Sequence, residues 1–575
     1  MLNLVEPTPQ INQSNSSVIF KTNTVRSSVL KWLVTHKQAL AFSAILPGIL
    51  FLLFYNLGLN PRPWQDDGGM MTLAKTLVTD GVYAVRSSEG GQSIGYQSFG
   101  AVQSVGPTVI LPVAASFKVL GIGLWQGRIV TALYSLMALV LFYTCAAKFF
   151  GVRSAIVAVV FLLSASNAVY VLWSRYVLGD VPALAFFFAA LLVWWHSIET
   201  KRTVWAIPAG LLLGAAMLTK GQYVLMAGGG FAALLLLDLI YYRRRLTRSI
   251  FVTVGIALAC YAAWQGWQFW YFGADVFAEN ATKLAQLSAS YNGFGWYNTT
   301  RNLRALLGQE SAHLYAFWGL PMLAYGLRYA LRNQRHAPIM ALLLISSSMW
   351  LGYVVFYSIF WSPNLIAPTA TVAILIGKVF VDVVAAAVAA WREWLAARRI
   401  SSTTTLTSTS TISAIATTLL LFVMLVWTLD ELQGVVRFDV LDRTGRRNSQ
   451  LPRLGNLAAP NQAAQFIAQH IPQNAIIETW ERELGLLTDH RYHFLDQVYL
   501  ARSQSVMRGH ARPDDYALGQ AYFEQVKPDY LVIGHHAHVT GIYDMAYITA
   551  HSKRITTIGE GDLGYDVYQM ALGQN

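Results

Sequence analysis

The chain has 575 residues, of which 55% are hydrophobic and 13% charged, with a net charge of +12. A mean hydropathy of +0.41 excludes an ordinary soluble enzyme and describes a polytopic membrane protein. The basic excess sits in residues 1–429 (net +16), whereas residues 430–575 carry 13 Lys+Arg against 17 Asp+Glu; such an excess in an apolar region reads as topology, not nucleic-acid binding.

A spanning helix needs about 20 mostly apolar residues, and the sequence offers about eleven candidates, which predicts a polytopic α-helical membrane protein. Residues 1–37 are polar and rich in Ser, Thr and Asn. They are too long and polar for the n-region of a cleaved signal peptide, so they read as a cytoplasmic segment before a retained anchor. Residues 38–429 read as the transmembrane catalytic domain, with a first outer loop over about 60–126. That loop opens with Trp64-Gln65-Asp66-Asp67-Gly68-Gly69. Met70, Leu73, Ala74 and Leu77 then recur at helical spacing, which predicts a helix lying on the membrane surface. Residues 107–121 hold Pro112 and Lys118 and are short for a span, so they read as interfacial or re-entrant.

Further spans are predicted near 128–147, 154–173, 182–197, 222–240, 312–327, 365–390 and 412–429. The basic clusters around Lys148, Lys201, Arg243 to Arg245, Arg328 and Arg392 all fall on one side of these spans. That side is cytoplasmic under the positive-inside bias. The turns at Trp173 to Asp180, Thr219-Lys220-Gly221 and Trp361-Ser362-Pro363-Asn364 then lie outside, with a longer loop over about 270–311. Residues 401–411 form a Ser/Thr linker, and Cys145 and Cys260 fall inside apolar runs as core residues. Residues 430–575 read as a small extracytoplasmic soluble α/β domain, with strands at 475–479 and 530–534 and helices at 461–470 and 515–525.

Ionisable groups on the outer side are Asp66 and Asp67, Arg175 with Asp180, Lys220, and Glu310 with His313. Each alone reads equally as an interfacial anchor, and the aspartate pair as an N-cap of the following helix. Their convergence on one face suits transfer of a sugar from a lipid phosphate. A carboxylate deprotonates an acceptor hydroxyl, an adjacent carboxylate positions it or raises its pKa, and Arg and Lys stabilise a departing phosphate.

The string Trp64-Gln65-Asp66-Asp67, followed by Ala74, Leu77 and Gly81-Val82-Tyr83, resembles the first-loop motif of type C (GT-C) membrane glycosyltransferases. The nearest likeness is to protein O-mannosyltransferases and lipid A aminoarabinose transferases. Ser174-Arg175-Tyr176 with Asp180 and Pro182 resembles their second outer-loop motif, and Leu218-Thr219-Lys220-Gly221 a recurrent Thr-Lys-Gly turn. The resemblance implies a GT-C bundle, a polyprenyl-phosphate sugar donor and an inverting reaction. Asp66 matches the base position and Asp67 its neighbour, while Arg175 and Lys220 face the donor phosphate. Asp180, Tyr83, Glu310, His313 and Glu478 are further substrate-binding candidates. Where aminoarabinose transferases carry Lys-Pro-Pro, this chain has Ser104-Val105-Gly106-Pro107-Thr108. The tail lacks a β-trefoil pattern, so a protein acceptor is not implied over a glycan or lipid.

No cofactor is required by this chemistry. A divalent metal between Glu310 and His313 competes with a plain interfacial pair, and the histidines His535, His536 and His538 lack carboxylates at metal spacing. Glu478, with Trp480, Glu481 and Glu483, could line an acceptor groove. The rival class is a transporter or flippase of lipid-linked sugars, which expects mid-span charges and broken helices in paired repeats; neither is clear in the sequence.

Overall fold

The structure is a computed structural model describing residues 37–89, 93–100, 105–164, 169–291, 293–308, 319–331, 336–358, 360–400, 408–441, 458–496, 499 and 517–571. The chain divides into two compact units, residues 1–49 and 50–575. Among the described residues the first holds the start of helix α1 (Lys37–Phe54). All that follows concerns the second.

The first loop carries α2 (Gln65–Thr79), a hairpin of β1 (Val85–Glu89) and β2 (Ser93–Gln97), and α3 (Pro107–Leu120). The membrane helices follow: α4 (Leu124–Phe150), α5 (Val152–Ser164), the short α6 (Val169–Ser174), α7 (Asp180–Thr200), α8 (Ala206–Thr219), α9 (Tyr223–Ile240) and α10 (Thr247–Phe272). Then come α11 (Ala274–Tyr291), α12 (Trp296–Gly308), α13 (Leu320–Leu331), α14 (Ala337–Phe356), α15 (Ile366–Ile400) and α16 (Ser408–Gly434). Among the described residues seven helices are long and apolar enough to cross a membrane: α4, α7, α9, α10, α14, α15 and α16. Four shorter apolar helices accompany them, Pro107–Leu120 included.

Three expectations change. The predicted loop over 270–311 contains two helices, α11 and α12. Both are amphipathic, and low mean hydropathy conceals a helical period. The predicted span over 154–173 is two described pieces, α5 and α6. Thirdly, α2 does not lie on a membrane surface. Met70, Leu73 and Ala74 are buried in one core with Val109, Ile110 and Val113 of α3 and with Ile477, Phe494 and Val532 of the tail. Amphipathicity reports that one face is covered, not what covers it.

The tail begins with α17 (Ala459–His470) and holds a five-stranded sheet, β3 (Ile476–Thr479), β4 (Arg491–Phe494), β5 (Tyr530–Ile533), β6 (Ser552–Ile558) and β7 (Tyr565–Met570), in the order β4-β3-β5-β7-β6. The strand β3 runs parallel to β4 and β5, and β7 is antiparallel to β5 and β6. Helices α18 (Glu483–Leu487), α19 (Gln520–Val526), α20 (His535–Thr540) and α21 (Met545–His551) connect the strands.

Side chains alternate across a strand. Ile477, Val532 and Val567 therefore enter the core shared with α2 and α3, while Leu531, Ile533 and Tyr568 enter a second core with Phe523 and Ile548. The tail and first loop are fastened further by polar contacts. Lys75 Nζ donates to the carbonyls of Gly485 (2.8 Å) and Thr488 (2.9 Å) and pairs with Asp489 at 2.7 Å. Gln97 Nε2 donates to the Phe494 carbonyl at 2.6 Å.

Candidate active site

The N-terminus of α2 organises the site. Trp64, just before the helix, packs against Trp173, Tyr176 and Trp361, with ring centroids 5.6–6.1 Å away. This aromatic cluster fixes where the helix starts. The next two carboxylates then point in different directions, because adjacent helical residues are about 100° apart around the axis.

Asp67 is fully buried, at 0% exposure, as is Arg128 of α4. Its Oδ2 accepts from Arg128 Nη2 (2.5 Å) and Nε (3.2 Å), and its Oδ1 accepts from the Val177 backbone N–H at 2.7 Å. Arg128 Nη1 also donates to the carbonyls of Leu57 (3.0 Å) and Pro61 (2.7 Å). The pair therefore ties the first loop to α4 and to the 175–178 turn. Arg175, also buried, donates to the carbonyls of Leu52 (2.8 Å), Tyr55 (2.5 Å) and Asn60 (2.8 Å). A cation on the terminal carbonyls of a helix caps it, and here the capped helix is α1.

Asp66 is different. It keeps partial exposure, and burial raises its pKa to about 6, with the charges of Asp180 and Asp67 adding to the rise and those of Lys220 and Arg482 opposing it. Lys220, in the turn after α8, pairs with Asp180 at the start of α7 at 3.0 Å. The Thr219 turn is held against the first loop, Thr108 and Thr219 hydroxyls lying 2.6 Å apart. A cavity of about 170 Å³ adjoins this turn, lined among others by Gly221, Tyr261, Trp264, Gln265 and Gln268. A larger cavity of about 830 Å³, at Lys201, Arg245 and Arg248, contains none of the site residues.

The structure thus brings Asp66, Asp180 and Lys220 together, with Arg482 joining them from the tail. It separates Asp67 and Arg175, whose charges are engaged in framework contacts. Tyr83 is an anchor: its ring meets Trp264 and Trp267 edge-on at 6.0 and 5.6 Å. Glu478 lies on the sheet face turned away from α2, accepting from Tyr522 (2.8 Å) and Tyr543 (2.9 Å) and contacting His493. Glu310 and His313 lie outside the described residues. No three His, Cys, Asp or Glu side chains cluster to hold a metal among the described residues. The histidines of α20 diverge: His535 meets the Asp562 carbonyl (2.9 Å), His536 packs on Trp480, and His538 lies 3.4 Å from Asp566.

The tail reaches the site through Trp480-Glu481-Arg482-Glu483. A Cβ on Gly68 would fall 2.4 Å from the Glu483 Cα, so only glycine admits this approach of α18 to α2. Glu481 accepts from the N–H groups of His536 (2.9 Å) and Ala537 (3.2 Å) at the start of α20. Glu483 accepts from Tyr565 at 2.7 Å, and the Arg62 guanidinium sits over that tyrosine ring at 5.6 Å. Burial and the neighbouring Glu483 carboxylate push Glu481 up to about 8, and burial raises Glu483 too. Carboxyls raised in the folded state stabilise it fully below their ordinary value of 4.5; that contribution is lost as pH rises through the folded value. The thermal unfolding midpoint in detergent should therefore fall as pH rises from 4.5 to about 8, and Glu481→Gln should flatten the fall. Stability that rises over this interval contradicts the assignment.

Arg128 and Arg482 escaped the sequence reading. Arg128 was hidden in the first turn of an apolar run, and the signal for Arg482 was a compact charged tetrapeptide in an otherwise apolar neighbourhood.

A bundle of membrane helices with an acid–cation site under an extramembrane layer is the architecture of type C membrane glycosyltransferases. The chain resembles the protein O-mannosyltransferase and aminoarabinose transferase branch of that class. Residues 104–267 match the profile of the dolichyl-phosphate-mannose-protein mannosyltransferase family. The fold is similar to ArnT from Cupriavidus metallidurans, solved bound to undecaprenyl phosphate, with a TM-score of 0.56 and 14% identity over 93% of this chain and 99% of that one. It is also similar to the oligosaccharyltransferase AglB from Archaeoglobus fulgidus, solved with an inhibitory peptide and a dolichol-phosphate, with a TM-score of 0.53 and 12% identity over 88% of this chain and 71% of that one. No curated protein sequence matches the chain significantly.

Proposed function

We propose that the protein transfers a sugar from a polyprenyl-phosphate donor to an acceptor hydroxyl at the extracytoplasmic face of a plasma (inner) membrane, with inversion at the sugar carbon. The observation that carries this reading is the contrast between the two aspartates. Asp67 is fully engaged by Arg128 and Val177, whereas Asp66 keeps partial exposure beside Lys220. A carboxylate whose pKa lies near neutrality suits a general base, and a neighbouring ammonium suits a departing phosphate.

In the step, the acceptor oxygen attacks the anomeric carbon while its proton passes to an Asp66 carboxylate oxygen. The bond from that carbon to the phosphate oxygen breaks, and its electron pair stays on the polyprenyl phosphate. Lys220 opposes the developing negative charge, and Asp180 holds the ammonium in place. The aromatic and amide lining of the cavity beside Gly221 suits a small ligand with an apolar body and a few polar groups. The lipid phosphates bound in the two structural neighbours, undecaprenyl phosphate and a dolichol-phosphate, support this reading.

The test is to supply the purified protein in proteoliposomes with a panel of radiolabelled polyprenyl-phosphate hexoses and pentoses. Release of free polyprenyl phosphate with label in an acceptor is the expected result. Movement of intact lipid-linked sugar across the bilayer, with no turnover of any donor, favours a flippase instead.

A further inference from the structure

We propose that Arg482, delivered from the tail into the first loop, is a phosphate-binding group of the donor site. The inference rests on the reading of the donor as a polyprenyl-phosphate sugar, and it identifies the group that would hold that phosphate.

Arg482 is 2% exposed, yet Nε and Nη1 donate to no acceptor among the described residues. Among the described residues the guanidinium makes one hydrogen bond, from Nη2 to Gln97 Oε1 at 3.3 Å. By contrast, the buried Arg128 donates to Asp67 and two carbonyls, and the buried Arg175 to three carbonyls. A buried guanidinium with unmet donors is costly unless something supplies acceptors. Asp66 and Asp496 act on it through their charge, but no ion pair joins it to either among the described contacts.

The fold makes deliberate room for this side chain. A Cβ on Gly69 would lie 3.1 Å from Arg482 Cδ, and a Cβ on Gly100 would lie 2.9 Å from Nη1. Gly69 is three residues beyond Asp66 in α2, so the two share a helix face. The guanidinium therefore occupies the face that carries the proposed base, with Nε and Nη1 unpaired. Nε–H and Nη1–H lie on different edges of the guanidinium, so either leaves a charged donor for a phosphate oxygen. The tail then acts in donor binding, because its docking on Gly68 and Gly69 inserts the cation.

The experiment measures binding of three probes to the full-length protein in nanodiscs: a long-chain polyprenyl phosphate, the matching polyprenol and inorganic phosphate. The parent should bind the polyprenyl phosphate more tightly than the polyprenol. Arg482→Gln should weaken polyprenyl phosphate about 10- to 100-fold, Arg482→Lys should fall between, and polyprenol binding should stay unchanged. If the parent shows no preference for the phosphorylated lipid, the donor reading fails and this inference with it. If the parent shows the preference and Arg482→Gln binds equally tightly, the role of Arg482 is overturned while the donor reading stands. Inorganic phosphate separates a free-anion site from a lipid-phosphate site. Tight free phosphate with no lipid preference overturns the proposal. Should Arg482→Gln fail to fold, a structure of the parent with polyprenyl phosphate decides. A phosphate oxygen within hydrogen-bond distance of Nε or Nη1 supports the assignment, and a phosphate elsewhere overturns it.

Discussion

Asp67→Ala is expected to cripple folding while its neighbour Asp66 tolerates substitution. The change leaves the Arg128 guanidinium buried, at 0% exposure, without its counter-ion. Removing one partner of a buried pair costs about 3–5 kcal/mol. The variant also strips the acceptor from the Val177 N–H, in the turn that carries Arg175. Thermal unfolding in detergent should show a large drop in midpoint and in recovered protein. Replacing both Asp67 and Arg128 by apolar residues of similar size should recover much of the loss, since the uncompensated charge is gone. An Asp67→Ala protein that unfolds at the parent temperature contradicts a framework role for this carboxylate.

The sequence made the place of the site legible, because a scarce tandem acid pair at a predicted membrane exit is unusual in so apolar a chain. It also marked the Thr219-Lys220-Gly221 turn and two strands of the tail, which appear as β3 and β5. It left the division of labour between Asp66 and Asp67 open. That division depends on the rotation of α2 and on Arg128, 61 positions away, and local pattern carries no information about a partner at that distance. For the same reason Arg175 pointed to phosphate in sequence, whereas its donors reach the carbonyls of residues 52, 55 and 60. The purpose of Gly68 and Gly69 becomes visible only when Glu483 and Arg482, over 400 positions later, are seen against them. Strand β6 was missed because Ser552–Ile558 is largely exposed, and short half-polar strands give weak signals.

Asp66→Asn should do the opposite of Asp67→Ala. Asp66 has no ion pair among the described residues and retains partial exposure, so the amide should leave the unfolding midpoint near that of the parent. The amide cannot take the acceptor proton, and loss of a general base costs about 10²–10⁴ in rate. In the parent, transfer should rise with pH through the Asp66 value of about 6 and level off above it, because only the carboxylate form accepts a proton. Any residual transfer by the variant should lack that rise. The most direct measurement is single-turnover transfer from one radiolabelled polyprenyl-phosphate sugar by parent and Asp66→Asn side by side, at equal amounts of folded, donor-bound protein. The account predicts a loss of about 10³-fold with donor binding retained; transfer by the variant at the parent rate would contradict it.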